Sequence, residues 1–342
     1  MFIKIKPNNF VLPIASVFFL FFIMVSAAAY AANPSPVIGH QGVVASRSML
    51  ASEVGVEIMR QGGNAVDAAV AVGFALSVTY PSAGNLGGGG FMVLHLEDGK
   101  TYALDFRETA PAAARTDMYL DQKGDVIKGL STRGHLSSGV PGSVAGLLDV
   151  LERFGNLDRK KVIEPAIRLA RDGFVLPLDL AEQFSNKLPD MASYPASMKK
   201  FSKNGKAYSA GDKWTQPDLA KTLQLIADNG RDGFYQGRTA KLIVKEMQAG
   251  GGLISLEDLK KYQAKWREPV KTSYRGYTIL GMPPPSSGGI LIAQMLNMIE
   301  PYDIKKMGWG SAELVHLMVE AQRRAYADRA TYLGDPDFFQ VP

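Results

Sequence analysis

The stretch SRSMLASEVGVEIMRQGGNAVDAAVAVGFALSVTYPSAGNLGGGGFMVLHLEDGKTYALDFRET, Ser46 to Thr109, decides the fold. Ser46 or Ser48 can cap a helix through about Arg60, with Leu50, Val54, Val56, Ile58 and Met59 apolar and Glu53 in an early turn. Gly62 and Gly63 end it, because glycine readily takes the left-handed conformation a helix C-terminus often needs. Asn64 caps a second helix, Ala65 to Thr79, and the helix dipole favours Asp67 in its first turn. This helix is apolar nearly all round, which predicts burial on several sides, and its alanines and Gly73 let neighbours approach closely. After the turn-rich segment Pro81–Gly90, Phe91 to Leu96 reads as a strand, Asp98-Gly99 as a hairpin turn and Thr101 to Phe106 as the return strand. Both strands are apolar on both faces, which predicts a sheet covered on both sides. The hairpin delivers Asp105-Phe106-Arg107-Glu108-Thr109 beside the glycine run Gly87–Gly90.

Upstream, Gly42-Val43-Val44-Ala45 reads as a short buried strand. Lys4 and Lys6, an apolar run from Phe10 to Val25 and the Ala29-Tyr30-Ala31 site have the layout of a signal peptide, residues 1–31, so the expected location is periplasmic or secreted. The run is short for a spanning helix, and no comparable stretch recurs, so no stable membrane association is expected after cleavage.

Downstream, a glycine-proline segment from Ser137 to Ser143 precedes a helix through Phe154, and Glu164 to Arg171 forms another, ended by Asp172-Gly173. Residues 178–265 read as a mainly helical portion of a single region spanning 32–342. Its helices include Pro217 to Asn229, one from Gly237-Arg238 to Gln248, and one capped at Ser255 and running to Tyr262. A hairpin about Arg275-Gly276, a bend at Pro283–Gly289, a helix Ile290 to Ile299 and an amphipathic helix capped by Ser311 complete the chain. This order predicts an α/β layered sandwich whose strands come from distant parts of the sequence.

At 342 residues, 46% hydrophobic and 21% charged, the chain can bury a substantial core. Removing residues 1–31 leaves 36 basic residues against 33 acidic, too balanced to argue for nucleic acid. Cysteine is absent, which excludes disulfides, a thiol nucleophile and cysteine-ligated metal.

Few residues carry chemistry on local grounds. His40, His95, His135 and His316 are far apart in sequence and read as structural, so no metal site is expected. Glu257-Asp258 and Asp335–Asp337 are explained by capping and turn formation. Gly87–Gly90 leads into a strand and is followed by no Gly-Lys-Ser/Thr, so it is not a phosphate loop. Ser286-Ser287-Gly288-Gly289 precedes a helix, and either an anion cradle or a tight turn accounts for it. Arg107 is the strongest single candidate. An arginine at a strand end can hold a carboxylate through two parallel hydrogen bonds, and a salt bridge to Asp105 or Glu108 is the alternative.

Seven blocks together resemble the γ-glutamyltranspeptidase (glutathione hydrolase) family across 38–342. They are Leu50-Ala51-Ser52-Glu53, Gly62–Ala71, Gly87–Phe91, Asp105–Pro111, Gly139-Val140-Pro141-Gly142, Pro283–Gly289 and Arg324-Ala325-Tyr326-Ala327-Asp328-Arg329 with Tyr332–Pro336. The resemblance implies an N-terminal-nucleophile hydrolase with a four-layer αββα sandwich, made as a self-cleaving precursor and needing no cofactor. It implies γ-glutamyltransferase and glutathione hydrolase activity on glutathione and related γ-glutamyl compounds, with water, amino acids or peptides as acceptors. It implies that Arg107 binds the α-carboxylate of the γ-glutamyl group. No threonine here, Thr109 included, matches the family's nucleophile, so no catalytic residue is assigned in this chain. The expectation is a large-subunit region, ending before the self-cleavage point, that is inactive without the small subunit of the same precursor and incomplete in fold. Competing expectations are a related cephalosporin- or glutaryl-type acylase and a non-catalytic exported amino-acid-binding protein.

Overall fold

Short-range capping places the first helices. In the computed structural model, which describes residues 36–342, helix α1 (Met49–Arg60) starts at Ser48, whose Oγ accepts from Ala51 N at 3.5 Å. Helix α2 (Ala65–Thr79) starts in a full capping box: Asn64 Oδ1 accepts from Val66 N and Asp67 N at 2.8 and 3.0 Å, and Asp67 Oδ2 accepts from Asn64 N at 2.8 Å. The signal-peptide reading of residues 1–31 lies outside the described residues.

Helix α2 is the core of the unit Val44–Pro342. It packs against α1, α3 (Ser143–Phe154) and α4 (Arg159–Asp172), and Val70, Phe74, Ala75 and Val78 are fully buried. Asp67 is also fully buried, so its charge must be met by donors. Besides Asn64 N it accepts from Asn156 N and Leu157 N, at 3.0–3.1 Å, tying the start of α2 to the α3–α4 loop.

A run of short strands and helices then follows. It comprises β3 (Phe174–Val175), α5 (Leu178–Met191), α6 (Pro195–Phe201), β4 (Lys213–Trp214), α7 (Pro217–Asn229), α8 (Asp232–Tyr235), α9 (Gly237–Gly250) and α10 (Leu256–Lys261), all but β3 within residues 178–265. Helix α7 lies on α4, and the pair β3–β4 sets the buried Trp214 among the rings of Phe174, Phe184 and Phe201.

The principal described sheet is antiparallel, in the order β1 (Phe91–His95), β2 (Thr101–Asp105), β5 (Lys265–Arg267), with Phe91 opposite Asp105 and Asp105 opposite Lys265. Arg153 of α3 sits over the rings of Tyr102, Phe154 and Trp266 and joins this sheet to the helix below it. The expectation of a sheet covered on both sides fails at β1. Leu94 is buried, but Phe91 and Val93 are 37% and 40% exposed at the edge strand, while Ala103, opposite Val93 on β2, is fully buried. Residues 42–45 form no strand among the described residues, since no ladder partner lies beside them.

Strands β6 (Val270–Tyr274) and β7 (Tyr277–Gly281) form a separate hairpin about Arg275-Gly276, both at positive φ. Helix α11 (Gly288–Ile299) packs on this hairpin and on the 21-residue α13 (Ala312–Tyr332), after the short α12 (Ile304–Met307). Among the described residues no helix is long and apolar enough to cross a membrane.

Candidate functional site

The glycine run is what brings the chain after β2 into a crowded place. Gly90 N donates to Phe106 O at 3.2 Å and Phe106 N to Gly90 O at 3.0 Å, extending the ladder past the strand end. A Cβ on Gly89 would stand 2.8 Å from Glu108 N and 2.9 Å from Arg107 C, so a side chain there would push the Arg107 segment away. Gly88 O accepts from Gly142 N and Ser143 N at 2.8 and 3.0 Å, and Thr109 pairs with Val140. The Gly87–Gly90 and Gly139–Gly142 segments therefore hold residues 106–109 between them.

Arg107 is fixed through its backbone. Its N–H donates to Asp105 Oδ1 at 3.1 Å, and its carbonyl accepts from the Tyr262 hydroxyl at 2.8 Å. Burial pushes the Tyr262 phenol up, with Tyr235, Asp105 and Glu108 adding to the effect, so the hydroxyl stays protonated and donates. Asp105 is nearly buried, and its Oδ2 is held by Arg267 Nε and Nη2 at 3.0 and 2.9 Å. Arg267 reaches Asp337 as well, at 3.2 Å, and Asp337 also pairs with Lys265.

In this network the salt-bridge alternative for Arg107 is not formed. Asp105 takes its counter-charge from Arg267, and among the described residues no carboxylate lies within ion-pair distance of the Arg107 guanidinium. Arg107, which is exposed, lines a cavity of about 400 Å³ together with Glu108, Tyr262, Lys265, Ser287 and Arg329.

The other sequence candidates resolve as structure. Ser286 N donates to Pro283 O at 3.1 Å, Gly288 N to Ser286 Oγ at 3.2 Å and Gly289 N to Met282 O at 3.2 Å, so this segment is a tight turn with three of its four amides spent internally. Ser287 Oγ accepts from Arg329 Nε at 3.1 Å. His135 meets Glu246 at 3.0 Å, whereas His95 and His316 are exposed. Asp258 completes a capping box with Ser255. Asp335 accepts from Asp337 N at 3.0 Å, as a turn requires, but Asp337 itself is drawn into the Arg267 network. Tyr262, Arg267 and Asp337 are the site residues that sequence reasoning missed. The one available signal was Gly142, whose missing side chain leaves room for the Tyr262 hydroxyl.

With this geometry in place, comparisons with known proteins become specific. The family model described as Gamma-glutamyltranspeptidase matches residues 51–342. The "Glutathione hydrolase proenzyme" of Escherichia coli (strain K12) is 51% identical over 311 residues, covering 90% of this chain and 53% of that protein. The "Acylase ACY 1 proenzyme" of Pseudomonas sp. (strain V22) is 40% identical over 321 residues, covering 92% of this chain and 58% of that protein. The crystal structure of Helicobacter pylori gamma-glutamyltranspeptidase superposes with a TM-score of 0.88 at 47% identity, covering 90% of this chain and 88% of that one. The chain spans about half the length of the curated relatives it matches.

The mixed α/β fold is thus that of an N-terminal-nucleophile hydrolase. Within that class, the chain belongs to the γ-glutamyltranspeptidase family.

Proposed function

We propose that this chain supplies the γ-glutamyl-binding part of a γ-glutamyltransferase and glutathione hydrolase. The observation that carries the reading is the Arg107 guanidinium, which lines a cavity with no carboxylate partner among the described residues while the neighbouring Asp105 is neutralised by Arg267. Such a cation suits the α-carboxylate of a γ-glutamyl group, which it can grip through two parallel N–H···O bonds. The relatives named glutathione hydrolase support glutathione as a substrate.

In the reaction this chain would serve, the attacking hydroxyl belongs to an N-terminal threonine on a second polypeptide, the small subunit of the same precursor. Its α-amino group, with a pKa of about 7.7–8.0, takes the hydroxyl proton. The oxygen adds to the γ-glutamyl carbonyl, the C–N bond breaks and the amine leaves carrying that proton. Water, an amino acid or a peptide then releases the acyl group. Arg107 would hold the far end of the glutamyl chain in register with that oxygen throughout.

The open faces support a second polypeptide. Phe91 and Val93 on β1, Ile292 on α11 and Val315, Val319 and Tyr326 on α13 are all exposed. Phe91 and Val93 share one face of β1, and Val315, Val319 and Tyr326 share one face of α13, at the spacing an apolar docking stripe would have. The basic-apolar-small pattern of residues 1–31 supports export, to the periplasm or beyond.

The test uses the processed two-polypeptide protein. Arg107→Gln raises KM for γ-glutamyl-p-nitroanilide by about 100-fold, because hydrogen bonds to charged groups contribute about 1.5–3 kcal/mol each. An unchanged KM would sink the reading. The purified chain alone releases no p-nitroaniline, and measurable turnover would show that the nucleophile lies within it. The acylase relative favours a second reading, an acylase acting on glutaryl or cephalosporin amides. Such a substrate need carry no α-carboxylate for Arg107, so glutaryl-p-nitroanilide should be cleaved far more slowly than the γ-glutamyl compound.

A further inference from the structure

Within that γ-glutamyl-site reading, on which this inference rests, we infer that Tyr262 is a positioning residue for substrate binding: its hydroxyl holds the Arg107 carbonyl and so aims the guanidinium into the cavity. Tyr262 is 5% exposed, and Arg107 O, at 2.8 Å, is the hydroxyl's hydrogen-bond partner. The interaction joins segments 155 positions apart, since Tyr262 follows α10 while Arg107 follows β2.

Tyr262 is itself held from three sides. Its ring stacks on Tyr235 with centroids 5.9 Å apart and planes 3° from parallel. Arg231, whose guanidinium lies 4.4 Å from the Tyr235 ring centroid, donates to the Tyr262 and Lys260 carbonyls. Gly142 supplies the remaining side, because a Cβ there would overlap the hydroxyl. A phenol locked in this way has one place to send its proton, and the peptide it meets is the one that carries the ligand-binding guanidinium.

With Arg107 N bound to Asp105 and Arg107 O bound to Tyr262, the peptide is gripped on both sides and the side chain starts from a fixed Cα. Asp105 is in turn fixed by Arg267. Removing the Tyr262 hydroxyl frees one side of this grip without touching the cavity's charge. The lost positioning weakens substrate in its ground state and transition state alike, so it shows in KM and leaves kcat nearly unchanged.

Tyr235 provides the control. It is buried in the same stack, and its hydroxyl donates to Pro141 O at 2.8 Å and accepts from Ala145 N at 3.2 Å without reaching Arg107. In the processed two-polypeptide protein, Tyr262→Phe is expected to raise KM for γ-glutamyl-p-nitroanilide about three- to tenfold, the range of one net hydrogen bond. Tyr235→Phe keeps the ring stacked on Tyr262 and should lower the melting temperature while shifting that KM clearly less than Tyr262→Phe does. Equal KM shifts in the two variants, or none in Tyr262→Phe while Arg107→Gln still shows its large effect, would overturn the positioning role alone. No effect of Arg107→Gln overturns the γ-glutamyl site and this inference with it.

Discussion

Helices α2 and α13 are both long and both carry apolar residues, yet they end in opposite situations. In α2, eleven of fifteen residues are buried, including the charged Asp67. In α13, only Ala321 and Ala325 of twenty-one are buried, while Val315, Val319 and Tyr326 remain in water. The difference lies in what surrounds them. Helix α2 packs against α1, α3 and α4, whereas α13 packs on α11 and touches the short α12. One region is a finished core, and the other presents a face with room for more protein.

Three substitutions can break or sharpen this contrast. Asp67→Leu should be the most damaging, because the amides of Asn64, Asn156 and Leu157 would lose their acceptor inside the core. At about 1–3 kcal/mol for each unsatisfied donor, the loss is at least about 3 kcal/mol by urea unfolding of the chain. A cost under about 1 kcal/mol would mean the region is wetter than its burial implies. Val70→Ala, at a fully buried position of α2, should cost about 2–3 kcal/mol through lost transfer energy and the cavity left behind. Val319→Ala removes the same atoms from a 45% exposed position of α13 and should cost less than about 0.5 kcal/mol in this chain. Repeated in the two-polypeptide protein, it should cost more than about 1 kcal/mol if a partner covers that face. An equally small cost there would end the idea of a covered α13.

Much of the local architecture was legible beforehand. The caps at Ser48, Asn64, Ser255 and Ser311 announce their helices because each bond closes within two or three residues. The Asp98-Gly99 turn announces its hairpin for the same reason. The strands Phe174–Val175, Lys213–Trp214 and Lys265–Arg267 were not legible. They are two or three residues long and exist only because a distant segment pairs with them. The breadth of burial was misjudged at β1, where an apolar pattern marks surface that can be covered but does not say whether anything in the chain covers it.

At the site, Arg107 stood out by its place after a strand and beside four glycines, but its environment did not. Neither Asp105 nor Glu108, the near neighbours in sequence, forms an ion pair with its guanidinium, and Asp105 is met instead by Arg267 from 162 positions away. The hydroxyl that holds the Arg107 peptide comes from 155 positions away.

The chain's own order of residues determined its helices, its tight turns, its family and the arginine that marks the site. These depend on bonds closed within a few positions, or on blocks whose succession is itself the signal. Tertiary structure alone decided which carboxylate is neutralised, that Arg107 has no ion-pair partner among the described residues and which apolar faces stay open. Those outcomes depend on side chains brought together across more than a hundred residues, and no spacing along a sequence encodes such a meeting.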